Sequence, residues 1–148
     1  MQIKIYHIIF LLFSFWNISL FGQSNSLENQ FNKTLTPEQR KSYNDKVQLN
    51  SQKIKENPNN YIYYLRRGIA YSYLGLNPDA IKDYNKTIEL RPDIPEPYYN
   101  RGIARARFRY TKTSCLDIKK AADLGLDNAV MLYKKKCQLY FKDIGVIE

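Results

Sequence analysis

The chain has 148 residues and a net charge of +9, with 44% hydrophobic and 25% charged residues. This length fits one ordinary domain, and the composition is that of a globular protein and excludes a largely disordered one. Tyrosine is frequent, with 13 copies against 7 phenylalanines. It suits half-buried seams between helices, where the ring packs and the hydroxyl reaches water or a partner.

Residues 1–23 are predicted to be a cleaved signal peptide. A short basic start, MQIK, precedes a continuous apolar run from Ile5 to Phe21, and the small residues of GQS follow at 22–24. An uncleaved membrane anchor is the alternative, although the run is short for a spanning helix and polar residues interrupt it. We therefore expect an exported protein, periplasmic or secreted, with a polar linker over residues 24–35.

Cleavage at this point would remove His7, the single histidine of the chain. Without histidine the usual general base is missing, and no cysteine–histidine or serine–histidine pair can form. The sequence also contains no glycine-rich phosphate loop and no four-ligand metal spacing. We expect no enzymatic activity, no cofactor and no metal.

The first helix of the fold is predicted over residues 36–57. Thr36 suits the N-cap, Pro37 the first helical position and Gln39 the third. Pro58 ends the segment, as Pro92 ends the corresponding segment of the repeat that follows. This correspondence gives the segment the position of a second helix in a preceding, incomplete repeat, where it would cap the fold.

Residues 61–94 and 95–128 repeat each other without gaps, which fixes the repeat length. Each repeat is predicted to be a helix, a turn and a second helix: Gly75 and Pro78 mark the turn of the first repeat, and the prolines of LRPDIPEP, at 90–97, end it. The identical pairs are Tyr64/Tyr98, Arg67/Arg101, Gly68/Gly102, Ile69/Ile103, Ala70/Ala104, Asp83/Asp117, Lys86/Lys120, Leu90/Leu124 and Asp93/Asp127.

This pattern resembles the tetratricopeptide repeat (TPR) family, and the chain as a whole resembles a small exported bacterial member. The first repeat matches six positions of the family pattern and the second is more degenerate. The resemblance implies an all-α fold, an α-solenoid of antiparallel helix pairs over residues 36–142. Two repeats would be flanked by capping helices at 36–57 and 127–142, with a tail at 143–148. The signature residues are Tyr64, Gly68, Tyr71, Ala80, Tyr84 and Pro92, then Tyr98, Gly102 and Ala121.

A glycine in the middle of each first helix follows from this resemblance. Gly68 is expected to face Ala80 and Gly102 to face Ser114, so that the two helices of a pair can approach closely. Tighter packing would offset the helix-propensity cost of glycine, about 1 kcal/mol relative to alanine.

Members of this family bind partners in a concave groove lined by their first helices. The resemblance therefore implies binding of a peptide or partner helix. Some members grip a C-terminal carboxylate with a lysine and an asparagine, but Leu65 and Ile69 stand at those two positions, so that clamp is absent. Asn100 does match another residue of the clamp. The groove is expected to be lined by Ile62, Leu65, Ile69, Tyr73, Tyr99, Ile103 and Arg107.

Arg101, Arg105 and Arg109 recur at every fourth position and would form a basic stripe on one helix face. Plain solvation is the favoured interpretation, an acidic partner or anionic surface is second, and nucleic acid is last. As a whole, the sequence favours a protein-binding module. A structural protein that self-associates through the ends of its stack is the alternative.

Cys115 and Cys137 are the two cysteines of the chain. An oxidising compartment would allow a disulfide between them, since the helices that carry them are expected to pack against each other. Two buried thiols that act as small apolar residues are the alternative.

Overall fold

The computed structural model describes residues 35–145, which are helical from Pro37 onward and contain no strand. The predicted all-α class is confirmed. The predicted signal peptide and nearly all of the linker lie outside the described residues, as do residues 146–148. The helices are α1 (Pro37–Glu56), α2 (Tyr61–Tyr73), α3 (Asn77–Leu90), α4 (Pro95–Arg105), α5 (Lys112–Asp123), α6 (Asp127–Leu132) and α7 (Gln138–Asp143), with a π-helical turn, Tyr133–Cys137, between the last two.

Local sequence signals explain most of the helix ends. The side chain of Asn60 accepts a hydrogen bond of 3.1 Å from the backbone nitrogen of Ile62 and so caps α2. Gly75 follows α2 with φ of +79°, a conformation that glycine adopts without strain, and Pro78 lies in the first turn of α3. Thr111 and Ser114 cap α5 reciprocally through their hydroxyl groups.

Consecutive helices pack against each other along the chain. The pairs α2 with α3 and α4 with α5 form the two repeats, α1 packs on α2, and α6 packs on α5. The first helices of the two repeats, α2 and α4, also touch each other. This arrangement is an α-solenoid of helix pairs, as the resemblance implied.

The core consists of two clusters of buried residues. One joins Ala80, Tyr84 and Ala104 across the first repeat and α4. The other lies in the second repeat and the last helices, and its members are Cys115, Ile118, Ala121, Ala129, Cys137 and Phe141. Small residues are common in both clusters, which allows the helices to lie close together.

The two helix glycines lie at close crossings. The neighbours of Gly102 include Ser114, as expected, whereas Ala80 is not among the nearest neighbours of Gly68. A Cβ atom on Gly68 would lie 2.8 Å from the ring of Tyr84, which with Asp83 supplies the nearest atoms in place of Ala80. The closest contact is therefore about one helical turn further along α3 than predicted. A Cβ atom on Gly102 would lie 2.8 Å from Ile118 and 3.0 Å from the carbonyl oxygen of Ser114.

Candidate functional site

A cavity of about 360 Å³ lies between α2 and α4, on the side where the two first helices touch. Tyr73 and Ile103 are 58% and 40% exposed there, which is high for large apolar residues. The hydroxyl groups of Ser72 and Tyr84 are hydrogen-bonded at 2.9 Å. This cavity, the inner groove, is lined by Ile69, Ser72, Tyr73, Tyr84, Asn100 and Ile103.

The structure brings only part of the predicted groove together, namely Ile69, Tyr73 and Ile103. Leu65 packs against the core cluster of the first repeat and Tyr99 against that of the second, and neither lines the inner groove.

The two remaining predicted residues also lie outside this cavity. Ile62 is half-buried at the start of α2. Arg107 lies beyond the end of α4, and its guanidinium is within 4 Å of the position that a Cβ atom on Gly75 would take. The inner groove therefore covers only part of the predicted groove.

The predicted basic stripe does not form. Helix α4 ends at Arg105, so Arg109 lies outside it. Arg101 and Arg105 both bind the carboxylate of Asp117, with shortest distances of 2.6 Å each. This carboxylate is buried, and its charge opposes that of the two guanidinium groups. Arg101 and Arg105 therefore serve to join α4 to α5 and do not form an open cationic surface.

A second cavity, of about 390 Å³, lies between α1 and α2. The rings of Tyr43 and Tyr73 stack there, with centroids 4.5 Å apart and planes at 8°. Loss of hydration and the nearby Tyr73 raise the pKa of Tyr43 above its usual value. This cavity, the α1–α2 groove, is lined by Tyr43, Lys46, Leu49, Asn50, Lys53, Arg66, Ile69, Ala70 and Tyr73.

Sequence reasoning missed the α1–α2 groove because it treated α1 only as a cap. The apolar residues of α1 were a usable signal, since a mainly polar helix carries few of them: Tyr43, Val47, Leu49 and Ile54. Tyr73 and Ile69 line both cavities and so form the ridge between them.

The structure joins Cys115 of α5 to Cys137 of the π-helical turn by a disulfide, with the Cα atoms 5.3 Å apart. Both residues are fully buried in the cluster of the second repeat. The bridge lies among residues that line neither groove and ties the last helices to α5.

No chemical centre is evident in the part of the chain that the structure describes. Residues 35–145 contain no cluster of three or more histidine, cysteine, aspartate or glutamate side chains placed to hold a metal ion. Within the same residues, every helix is too short or too polar to cross a membrane.

Known proteins similar to this chain were found both by sequence and by structure. Residues 68–107 match a family model described as TPR repeat. Hsp70-Hsp90 organizing protein 3 of Arabidopsis thaliana is 38% identical over 60 residues, which are 40% of this chain and 11% of that protein. Small glutamine-rich tetratricopeptide repeat-containing protein 2 of Saccharomyces cerevisiae is 28% identical over 114 residues, 77% of this chain and 32% of that protein.

Among solved structures, the Sgt2 TPR domain from Aspergillus fumigatus aligns with a TM-score of 0.62 at 22% identity, over 85% of each chain. The chain spans at most about a third of the two curated relatives named above. Those relatives are eukaryotic, and the expectation of a small exported bacterial member stays a prediction. The helical unit has the tetratricopeptide-repeat fold, and its residues 68–107 match the tetratricopeptide-repeat family model.

Proposed function

We propose that this protein is a non-catalytic interaction module that binds a peptide or a partner helix in the inner groove. The named relatives support a protein partner, since one of them is called an organizing protein of two other proteins. The tetratricopeptide-repeat fold supports the same class of function, because it presents the first helices of successive repeats as one surface.

The observation that carries this proposal is the pair of exposed apolar residues in the inner groove. Tyr73 and Ile103 come from different repeats and line one cavity, each with a large part of its side chain open to solvent. A concave apolar surface with a few polar groups is the usual form of a binding site. Asn100 and Ser72 supply those polar groups.

The chemistry of the expected ligand follows from two apolar residues of α2. A lysine at position 65 and an asparagine at position 69 would be needed for the carboxylate clamp of some family members, but Leu65 and Ile69 are apolar. We therefore expect an apolar side chain of the ligand to enter the inner groove and to contact Ile69 and Ile103. A free C-terminal carboxylate is not required.

Self-association through the end of the stack is a second candidate function. Met131 and Leu139 are exposed large apolar residues of the last helices, which pack on α5 at the C-terminal end of the described chain. Equilibrium sedimentation of the full chain and of Met131→Lys tests this candidate. A dimer that the substitution dissociates would support it. Binding to an anionic partner through Arg101 and Arg105 is disfavoured, because Asp117 binds both side chains.

A peptide library displayed on phage, selected against the full chain, tests the inner groove. Peptides selected in this way should lose at least tenfold in affinity, by calorimetry, when Ile103 is replaced by glutamate. Leu116→Glu is the matched control, because Leu116 is 48% exposed, close to the 40% of Ile103, and lines neither groove. Equal affinity for both variants would exclude the inner groove as the binding site.

We also propose that the protein is exported and acts in the cell envelope or outside the cell. The apolar run from Ile5 to Phe21 and the paired cysteines support this proposal. Terminal sequencing of the protein from its native compartment should find an N-terminus between Gln23 and Asn25. An intact Met1 in a membrane pellet would support the anchored alternative instead.

A further inference from the structure

The α1–α2 groove lies where a helix would pack if the stack continued by one more first helix. Ile69 and Ala70 on the α2 side of this groove correspond, one repeat length later, to Ile103 and Ala104 of α4. Ile103 and Ala104 face the preceding repeat, since Ile103 lines the inner groove and Ala104 packs with Ala80 and Tyr84. The same face of α2 is therefore shaped to receive a helix.

The α1 side of the groove marks where such a helix would cross. Shifted by one repeat length, Asn50 corresponds to Tyr84 and Leu49 to Asp83, the two residues that crowd Gly68 of α2. Asn50 is buried, its Nδ2 donates to the carbonyl oxygen of Lys46, and Leu49 is 54% exposed. A helix that crosses α1 at Asn50 would need a small residue at the crossing and an apolar residue over Leu49.

The repeat register shows that α1 does not supply this helix. Pro37 begins α1 at the position that corresponds to Tyr71, which is still within the first helix of the next repeat. Helix α1 thus already uses the residues that would form the end of a preceding first helix and its turn. The residues before α1 contain one carboxylate, that of Glu28, and so lack the acidic flanks that the cationic lining of the groove requires.

Charge then defines the partner. Lys46, Lys53 and Arg66 line the groove, no carboxylate does, and none of the three forms an ion pair with another residue of 35–145. A second copy of this chain is disfavoured, because its net charge of +9 repels these cations. We propose that the α1–α2 groove binds an amphipathic helix of a partner protein, with a small residue at the crossing and acidic residues on its flanks.

A labelled peptide with the sequence of residues 61–75, in which Arg66 is replaced by glutamate and Arg67 by leucine, is a direct probe of this proposal. It keeps the glycine of α2 and adds a carboxylate on its flank. It also places an apolar residue over Leu49, because Arg67 of α2 contacts Asp83, the residue that corresponds to Leu49. Fluorescence anisotropy with the full chain should show at least tenfold tighter binding of this acidic peptide than of the unchanged, basic one.

Charge reversal at the groove should invert that preference. The affinity of K46E/K53E/R66E for the acidic peptide should fall at least tenfold, and its affinity for the basic peptide should rise. An unfolded protein could not show that rise in affinity. The matched control is the triple substitution to glutamate of Lys134, Lys135 and Lys136, which are exposed, line neither groove and change the net charge equally. This control should keep the original preference.

Ile103→Glu separates this proposal from the proposed function. It alters the inner groove alone, so the acidic peptide should bind this variant as tightly as it binds the unchanged chain. Loss of binding in Ile103→Glu would place the helix in the inner groove and overturn the assignment. Absence of binding by either peptide, or an unchanged preference in K46E/K53E/R66E, would also overturn it.

Discussion

Arg67 binds the carboxylate of Asp83 through two hydrogen bonds of 2.8 and 2.7 Å, and Arg101 binds Asp117 in the same way at the equivalent positions of the second repeat. The remaining guanidinium nitrogen of Arg67 donates a hydrogen bond to the hydroxyl of Ser51 at 3.0 Å, and that of Arg101 donates to the side-chain oxygen of Asn85 at 2.7 Å. Ser51 and Asn85 are themselves one repeat length apart. Each guanidinium therefore joins three successive helices, and the hydrogen bond to Asp83 raises the pKa of Arg67.

We predict that Asp83→Ala destabilises the fold by about 3 kcal/mol. The Asp83 side chain is only 6% exposed, so its removal leaves the guanidinium of Arg67 largely buried without a counter-charge, which typically costs about 3–5 kcal/mol in a buried pair. The 21% exposure of Arg67 places the expected value at the lower end of that range. Urea unfolding followed by circular dichroism measures the change in the free energy of unfolding.

Asp123→Ala is the matched control for this prediction. Asp123 pairs with Lys119 at 2.8 Å, but both side chains are about half exposed, and such pairs are worth about 0–1 kcal/mol. A similar loss in the two variants would show that the Arg67–Asp83 pair has no special role in the stack.

The alignment of the repeats contained part of this network. Arg67 and Asp83 each match their counterparts in the second repeat, but they are 16 residues apart and lie on different helices. Their contact depends on how the hairpin closes, which periodicity does not specify. Arg67 also occupies a position where the family pattern has leucine, so the pattern itself gives this arginine no structural role.

The helices themselves could be predicted from the sequence. The end of α4 and the contact between Arg67 and Asp83 could not. Gly75 and Pro78 mark the turn of the first repeat, and the structure places the turn there. In the second repeat no glycine or proline lies between Arg105 and Lys112, so no local signal in the sequence marks the end of α4. The expectation that Arg109 shares a helix face with Arg101 failed for this reason.

Gly68→Ala and Gly102→Ala are each predicted to destabilise the protein, by up to about 2 kcal/mol. Alanine improves helix propensity by about 1 kcal/mol, but overpacking a close crossing typically costs 1–3 kcal/mol. The new methyl group would lie 2.8 Å from Tyr84 in one case and 2.8 Å from Ile118 in the other, and both of those side chains are fully buried. Thermal unfolding of the two variants provides the measurement.

Asn44→Ala is the control, because Asn44 lies on the exposed face of α1. This substitution also increases helix propensity, but it adds no methyl group at a helix crossing. We expect it to be neutral or slightly stabilising. If Gly68→Ala also raised stability, Tyr84 would have enough freedom to move away, and the crossing would be looser than the structure indicates.

Tyr84 should make stability fall at alkaline pH. Burial raises its pKa to about 12 from 10.0, although the hydrogen bond from Ser72 opposes the shift. Between these two values the unfolded chain loses the phenol proton while the folded protein retains it. The free energy of unfolding therefore decreases as pH rises from about 10 to about 12, by about 1–3 kcal/mol in total, and is unaffected by this group below pH 10.

Tyr84→Phe should remove most of this pH dependence. Its cost near pH 7 should be about 0.5–1.5 kcal/mol, for the lost hydrogen bond to Ser72. Urea unfolding at pH 8 and pH 11 compares the two proteins, with Tyr73→Phe as the control at an exposed position. A decline of equal size in wild type and Tyr84→Phe would assign the alkaline loss to other groups.

The cysteine pair is predicted to be oxidised in protein from its native compartment. Cys115 and Cys137 are 22 residues apart in the sequence. A disulfide across a loop of this length lowers the entropy of the unfolded chain and so stabilises the fold by roughly 3 kcal/mol. The effect should be local to the second repeat, because both residues belong to its buried cluster with Ile118 and Phe141. Reduction should therefore increase hydrogen exchange in α5 and the last helices before it affects α2 and α3.

Thiol counting under denaturing, non-reducing conditions is the direct measurement. We expect no free thiol before reduction and two after it. The double variant C115S/C137S should be less stable than the reduced wild type, by about 1–3 kcal/mol for each serine, because each adds a hydroxyl group at a fully buried position. Two free thiols in the native protein would instead show that Cys115 and Cys137 act as small buried residues. The last helices would then be held to α5 by apolar packing without a covalent bond, as in the cluster that contains Ile118, Ala129 and Phe141.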